Sequence, residues 1–372
     1  MSQRGRSQTY PRGALADIPA RGARRNTRAG RSQTYPRQHP GTGRRSRRRA
    51  AVGEAGYPSA MRYVEIDGLR TSAIGLGTWQ FGSREWGYGD AYADDVAPAL
   101  VRRALELGIT FIDTAEMYGF GRSERIIGAA IDGRPDGVTI ATKLMPLLPL
   151  PAITAQRARA SRARLGVDAI ALYQLHFPNP IVPPRTTMRG LRRLLDDGVV
   201  HRAGVSNYSL KGWRVAERAL GRPVVSNQVR FSLASPSPAW DLVPYARDRD
   251  RVVIAYSPLA QGLLAVGQDD ATRQGRSAGW ARRGNSLASE RNRLRARPLL
   301  AALDDVARAH GATPAQVALA WVIGHGNVIA IPGARTIEQL EENAAAADLE
   351  LSPAEHDRLT READRLEATL RA

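Results

Sequence analysis

Eight short apolar runs that alternate with amphipathic stretches constrain this chain more than any other feature of its 372 residues. The runs cover residues 74–77, 109–113, 138–142, 170–175, 199–205, 224–228, 252–257 and 328–331. Each is nearly continuous in apolar side chains, the pattern of a strand buried on both faces. Between the first two, Val96, Leu100, Ala104 and Leu107 recur at helical spacing. Residues 315–322 do the same behind Thr313-Pro314, with Thr as the cap and Pro at the first helical position. Alternating strand and helix predicts βα units around a parallel sheet. Eight such units over residues 61–372 suit a closed (β/α)8 barrel, the TIM barrel, better than an open sheet. The largest insertion, residues 266–297, is rich in Gly, Ser and Arg and reads as a long loop. Ahead of the first unit, residues 62–66 and 69–73 flank Asp67-Gly68, which predicts an N-terminal β-hairpin.

Residues 1–60 obey different rules. They hold 14 Arg, no Lys and two acids, Asp17 and Glu54, and residues 30–37 repeat the GRSQTYPR of residues 5–12. Apolar residues are too sparse there to offset the entropy of ordering, so this basic extension is expected to be disordered. Two readings compete for it: a tail that binds acidic partners, or upstream sequence outside the working protein, whose orderly part begins at Met61. Of the net charge of +18, +12 falls in residues 1–60 and +6 in the rest. The barrel segment is therefore not a basic surface, and any nucleic-acid contact would have to run through the extension.

The absence of cysteine excludes disulfides, thiolate metal sites and a cysteine nucleophile. No run of about 18 apolar residues could span a membrane, and the N-terminus lacks the apolar stretch of a secretory signal. A cytoplasmic protein with no membrane partner is the expectation.

In a barrel of this kind reactive groups gather where strands end at their carboxyl edge. Four ends stand out: Phe111-Ile-Asp-Thr-Ala-Glu-Met-Tyr-Gly119, Ile140-Ala-Thr-Lys-Leu144, Leu172-Tyr-Gln-Leu-His-Phe177 and Gly204-Val-Ser-Asn-Tyr208. Lys143 and Lys211 are the only lysines among 54 basic residues. A lysine behind an apolar strand, in a chain that otherwise uses arginine, suggests that a compact ammonium is required there. Asp113 at a buried strand end needs a cationic neighbour, and Lys143, one strand along, is the natural one. Tyr118 follows on the same loop, where a nearby cation would lower its pKa from about 10 and ease proton transfer. His176 reads either as a hydrogen-bonded structural histidine or as a ring placed for chemistry. No other acid or histidine stands at metal-ligand spacing from it, so no metal is expected.

In this order, these motifs resemble the aldo-keto reductases, particularly the bacterial and chloroplast branch that is similar to potassium-channel β-subunits. The resemblance covers about residues 61–366. It implies an NADPH-dependent reductase of a small aldehyde or ketone, with Asp113, Tyr118, Lys143 and His176 as the catalytic tetrad and Tyr118 as proton donor. Hydride transfer belongs to the cofactor.

The same resemblance implies the NADPH/NADP+ contacts. Gly77, Thr78 and Trp79 would lie at the barrel mouth, and Ser206, Asn207 and Gln228 would bind the nicotinamide carboxamide. Tyr256 would stack on the nicotinamide ring, and Ser257, Leu259 and Gln261 would approach the pyrophosphate. The stretch Ile331-Pro-Gly-Ala-Arg-Thr-Ile-Glu-Gln-Leu-Glu-Glu-Asn343 is similar to the segment that clasps adenosine. There Arg335 would pair with the 2′-phosphate beside Gly333 and Gln339, and Glu342 and Asn343 would reach the adenine. Gly333, Ala334 and Gln339 stand where some relatives carry Lys, Ser and Arg. The plainer alternative for Arg335 is a solvated loop residue. The run Gly75-Leu-Gly-Thr-Trp-Gln-Phe-Gly82 lacks the spacing and the following helix of a Rossmann fingerprint. Against the enzyme stands a second class, a cofactor-binding, redox-sensing module that acts through a protein partner with weak reductase activity.

Overall fold

The computed structural model describes residues 61–81, 92–132, 137–265 and 289–371. The expected disorder of residues 1–60 lies outside these, as do residues 82–91 and most of the long insertion. Two short antiparallel strands come first, β1 (Tyr63–Ile66) and β2 (Leu69–Ser72). Asp67 and Gly68 join them, both with positive φ, as a two-residue hairpin turn matched to strand twist demands.

Eight parallel strands follow in sequential order: β3 (Leu76–Gly77), β4 (Phe111–Asp113), β5 (Thr139–Leu144), β6 (Ile170–Leu175), β7 (Val200–Ser206), β8 (Val224–Arg230), β9 (Val252–Tyr256) and β10 (Val328–Ile331). All eight expected strands are present, with ends shifted by at most two residues.

A parallel bridge between Ile74 and Ala330 brings the first strand against the last, supported by Gly75 N to Ala330 O at 2.8 Å and Gly77 N to Pro332 O at 3.0 Å. Closure depends on glycine: a Cβ on Gly77 would stand 2.7 Å from the Ile331 carbonyl oxygen. Inside the barrel Phe111, Ala141, Leu172, Val252, Ile254 and Ile329 form one apolar cluster. Ile66 of the hairpin completes it.

Ten α-helices are described. The first six each follow a strand: α1 (Ala97–Glu106), α2 (Arg122–Ile131), α3 (Pro151–Leu165), α4 (Pro184–Asp196), α5 (Leu210–Leu220) and α6 (Pro238–Arg247). After β9 come α7 (Glu290–His310) and α8 (Pro314–Gly324), and after β10 come α9 (Ile337–Ala345) and α10 (Pro353–Arg371). Thr313 caps α8 through a reciprocal box with Gln316, as the Thr-Pro start predicts. Residues 290–297, expected to be loop, open α7, because Ser289 caps it by accepting from Asn292 N. The outward faces of the strands and the inward faces of the helices share the larger core, which buries Trp213 and Trp321 completely. No described helix is long and apolar enough to cross a membrane.

Candidate active site

The carboxyl ends of the strands surround a cavity of about 720 Å³. Its floor is a hydrogen-bonded set that the sequence scatters over 116 positions, from Asp113 to Gln228. Lys143, on β5, is wholly buried, and its Nζ lies 2.6 Å from Asp113 Oδ2, 2.9 Å from the Thr114 carbonyl oxygen and 3.2 Å from the Tyr118 hydroxyl. The neighbouring strand pairing β4–β5 brings Asp113 and Lys143 together. A buried ion pair offsets its desolvation only when its remaining sites are occupied. Here they are: Gln228 Nε2, from β8, donates to Asp113 Oδ1 at 2.6 Å.

Local structure fixes the Tyr118 loop. Gly119, Phe120 and Gly121 all have positive φ and turn the chain sharply into α2. Upstream, Glu116 accepts from Met145 N at 2.5 Å and pairs with Arg157 of α3. Downstream, buried Glu124 pairs with Arg164 at 2.6 Å and accepts from Thr142 at 2.6 Å, which ties α2 to α3 and β5. The loop is therefore anchored on both sides of the tyrosine.

The His176 ring stands edge-on to Tyr118, with centroids 6.0 Å apart and planes at 76°, and stacks on Phe177 at 4.8 Å. Its Nδ1 is buried without a hydrogen-bond partner. Burial, and then the charge of Lys143, pull its pKa down to about 3, so the ring is neutral at physiological pH.

The tyrosine departs from expectation. Burial pushes the Tyr118 hydroxyl above its ordinary value of 10.0, and the lowering by Lys143 does not overcome this. Burial by itself would pull Lys143 down, but the charges of Asp113 and Tyr118 together hold it above its ordinary value. The ammonium is kept protonated.

The remaining expected residues all line the same cavity. Gly77, Thr78 and Trp79 sit on the β3 side, where Thr78 Oγ1 donates to the Asp113 carbonyl oxygen at 2.8 Å. Ser206 ends β7 and Asn207 follows it. Asn207 adopts φ +62°, donates to the His176 carbonyl oxygen at 3.1 Å and accepts from the Tyr256 hydroxyl at 3.0 Å. The β9 end supplies Tyr256, Ser257, Leu259 and Gln261. At the far end stand Gly333, Arg335, Gln339, Glu342 and Asn343, around the start of α9. Gln339 Oε1 accepts from Arg335 N at 2.9 Å, and Thr336 caps the helix.

The trough thus runs from the Tyr118–His176 pair to a capped helix N-terminus with a guanidinium beside it. This charge pattern fits a long phosphorylated dinucleotide. Gly333 keeps one wall low, since a Cβ there would come 3.0 Å from the Gln80 side chain.

Sequence reading missed Arg230, Gln80 and Ala315, which also line the cavity. Arg230 was findable: it lies two residues beyond Gln228 on a strand, and so on the same face. Among the described residues, no group of three or more His, Asp or Glu side chains could hold a metal.

Comparison with known proteins agrees in extent with the barrel. The profile of the Aldo/keto reductase family matches residues 73–363. An uncharacterized oxidoreductase of Mycobacterium tuberculosis is 54% identical over 301 residues, which is 81% of this chain and 92% of that protein. The methylglyoxal reductase YeaE of Escherichia coli is 34% identical over 287 residues, covering 76% of this chain and 88% of its own length. Among solved structures, an aldo/keto reductase of Klebsiella pneumoniae in complex with NADP and acetate is 32% identical. It covers 81% of this chain and 95% of its own, with a TM-score of 0.65.

Proposed function

The chain belongs to the aldo/keto reductase family, and on that premise we propose that it is an NADPH-dependent oxidoreductase that reduces a small aldehyde or ketone to the alcohol, with Tyr118 as the proton donor. The observation that carries this reading is the Tyr118 hydroxyl, 3.2 Å from an ammonium that is itself ion-paired, at the floor of a cavity of about 720 Å³. Bound NADPH supplies a hydride to the carbonyl carbon.

The residues of the chain then have separable tasks. Tyr118 gives its proton to the carbonyl oxygen as that oxygen gains charge, and Lys143 stabilises the tyrosinate left behind. Asp113 keeps the ammonium in place, and Gln228 fixes the second carboxylate oxygen. Neutral His176 offers a ring N–H to the carbonyl oxygen and orients it; with a pKa of about 3 it is no source of protons near neutrality.

The helix start at Thr336 and the Arg335 guanidinium receive the 2′-phosphate, which favours NADPH over NADH. Asn207, Ser206 and Gln228 bind the carboxamide, Tyr256 covers the nicotinamide, and Glu342 with Asn343 hold the adenine. Residues 61–372 form the catalytic unit. Within the family, the motif runs at residues 204–208 and 254–262 support placing the chain beside the bacterial and chloroplast enzymes that resemble channel β-subunits.

A panel of aldehydes, ketones and quinones, followed by NADPH oxidation, tests the reading together with Tyr118→Phe. The wild type should turn over at least one carbonyl class, and the variant should lose roughly 10²–10⁴-fold in kcat while still quenching tryptophan fluorescence on binding NADPH. Undiminished turnover by the variant would refute the assigned acid.

A further inference from the structure

Arg230 is a guanidinium on the cavity wall to which the mechanism gives no task. It ends β8 two residues after Gln228, so both side chains share the inward face, and both line the cavity. Its backbone is in register with Tyr256 of β9, where the next wall of the cavity begins. Among the described residues its side chain makes no hydrogen bond or ion pair. Of the other charges on these walls, Asp113 is engaged by Lys143 and Gln228, while Arg335 and Glu342 lie around the start of α9. An open guanidinium in a concave site is a receptor for an oxyanion, which it grips with two parallel N–H groups.

The adjoining wall points to the same chemistry. Ser257, Ala260 and Gln261 have φ of +50°, +48° and +58°, and Gly262 follows at +93°. Non-glycine residues rarely accept this conformation, and strain of this kind collects where ligands are gripped. Within the turn Ala260 N donates to the Ser257 carbonyl and Gly262 N to the Leu259 carbonyl, both at 2.9 Å, which fixes its shape. Yet this segment, residues 257–262, carries no charged side chain. Gln80, on the other wall, has its amide nitrogen engaged by the carbonyls of Gly77 and Ala334.

We propose that Arg230 is the counter-charge for the diphosphate bridge of the bound dinucleotide, acting with the strained segment 257–262 and separately from the 2′-phosphate site at Arg335. The inference rests on the NADPH reading of this cavity. It adds a cation beside segment 257–262, which carries no charged side chain of its own.

Calorimetric titration of the full chain tests it with three probes: NADP+, 2′-phospho-ADP-ribose, which keeps the diphosphate, and adenosine 2′-monophosphate, which lacks it. Arg230→Gln should weaken the first two in parallel by roughly tenfold to a hundredfold, leave the third within about twofold, and regain part of the loss as Arg230→Lys. Unchanged binding of the third probe also shows that the variant is folded. Unaltered affinity for 2′-phospho-ADP-ribose overturns the proposal. So does a variant that binds NADP+ normally but shows a raised KM for succinic semialdehyde and not for butanal, because the anion would then be the substrate's carboxylate. If the wild type binds none of the probes, the NADPH reading itself fails, which is a distinct result.

Discussion

Gln228 on β8 reaches Asp113 on β4 across the barrel mouth, Nε2 to Oδ1 at 2.6 Å, while Lys143 holds the other oxygen at the same distance. Three intervening strands separate the two residues in the sheet, so this bond reports whether the barrel is closed as well as whether the site is assembled. Gln228→Leu leaves a buried carboxylate oxygen without a donor, which costs about 1–3 kcal/mol. A lower melting temperature is expected, with a drop in kcat as Lys143 loses its fixed partner. Thermal melts alongside steady-state kinetics check both.

The pH profile of carbonyl reduction should be flat where histidines ordinarily titrate. His176 stays neutral down to about pH 3, so no step near pH 6.5 should come from it. Reduction needs the protonated tyrosine, and burial holds Tyr118 above 10.0, so the alkaline limb belongs above that value. A kcat/KM profile from pH 5 to 10.5 checks this; a limb near 6.5 that vanishes in His176→Gln would contradict the neutral-donor role.

At the other end of the trough, Arg335→Ala should weaken NADPH far more than NADH, by roughly tenfold or more, because only NADPH carries the group that the guanidinium pairs with. Equal losses for the two cofactors would remove the 2′-phosphate role. Dissociation constants from fluorescence titration give the answer.

Far from the cavity, His325 packs among Trp321, Phe231 and His356. Burial, and then His356, pull its pKa down to about 4 from 6.5. As pH falls between those values the unfolded chain takes up a proton that the folded chain refuses. The stability present above pH 6.5 is therefore lost progressively towards pH 4. His325→Phe should lessen this loss, so urea midpoints of variant and wild type should diverge in the variant's favour from pH 7.5 to 4.5. Parallel curves would show that the ring is not responsible.

Local chemistry determined much of this protein. The eight apolar runs predicted all eight barrel strands, because a strand buried on both faces must be continuously apolar. Thr313-Pro314 predicted the start of α8, because a cap and a fixed φ act within one turn. The scarcity of lysine singled out Lys143 before any neighbour was known. Tertiary structure alone decided what depends on distance and burial. It set Gln228 against Asp113, left the Tyr118 pKa raised where a nearby cation was expected to lower it, and turned residues 290–297 into helix. It also placed Arg230 on the cavity wall without a partner. Burial and pairing energies depend on which segments meet, and a linear order of residues carries that information only through the fold it produces.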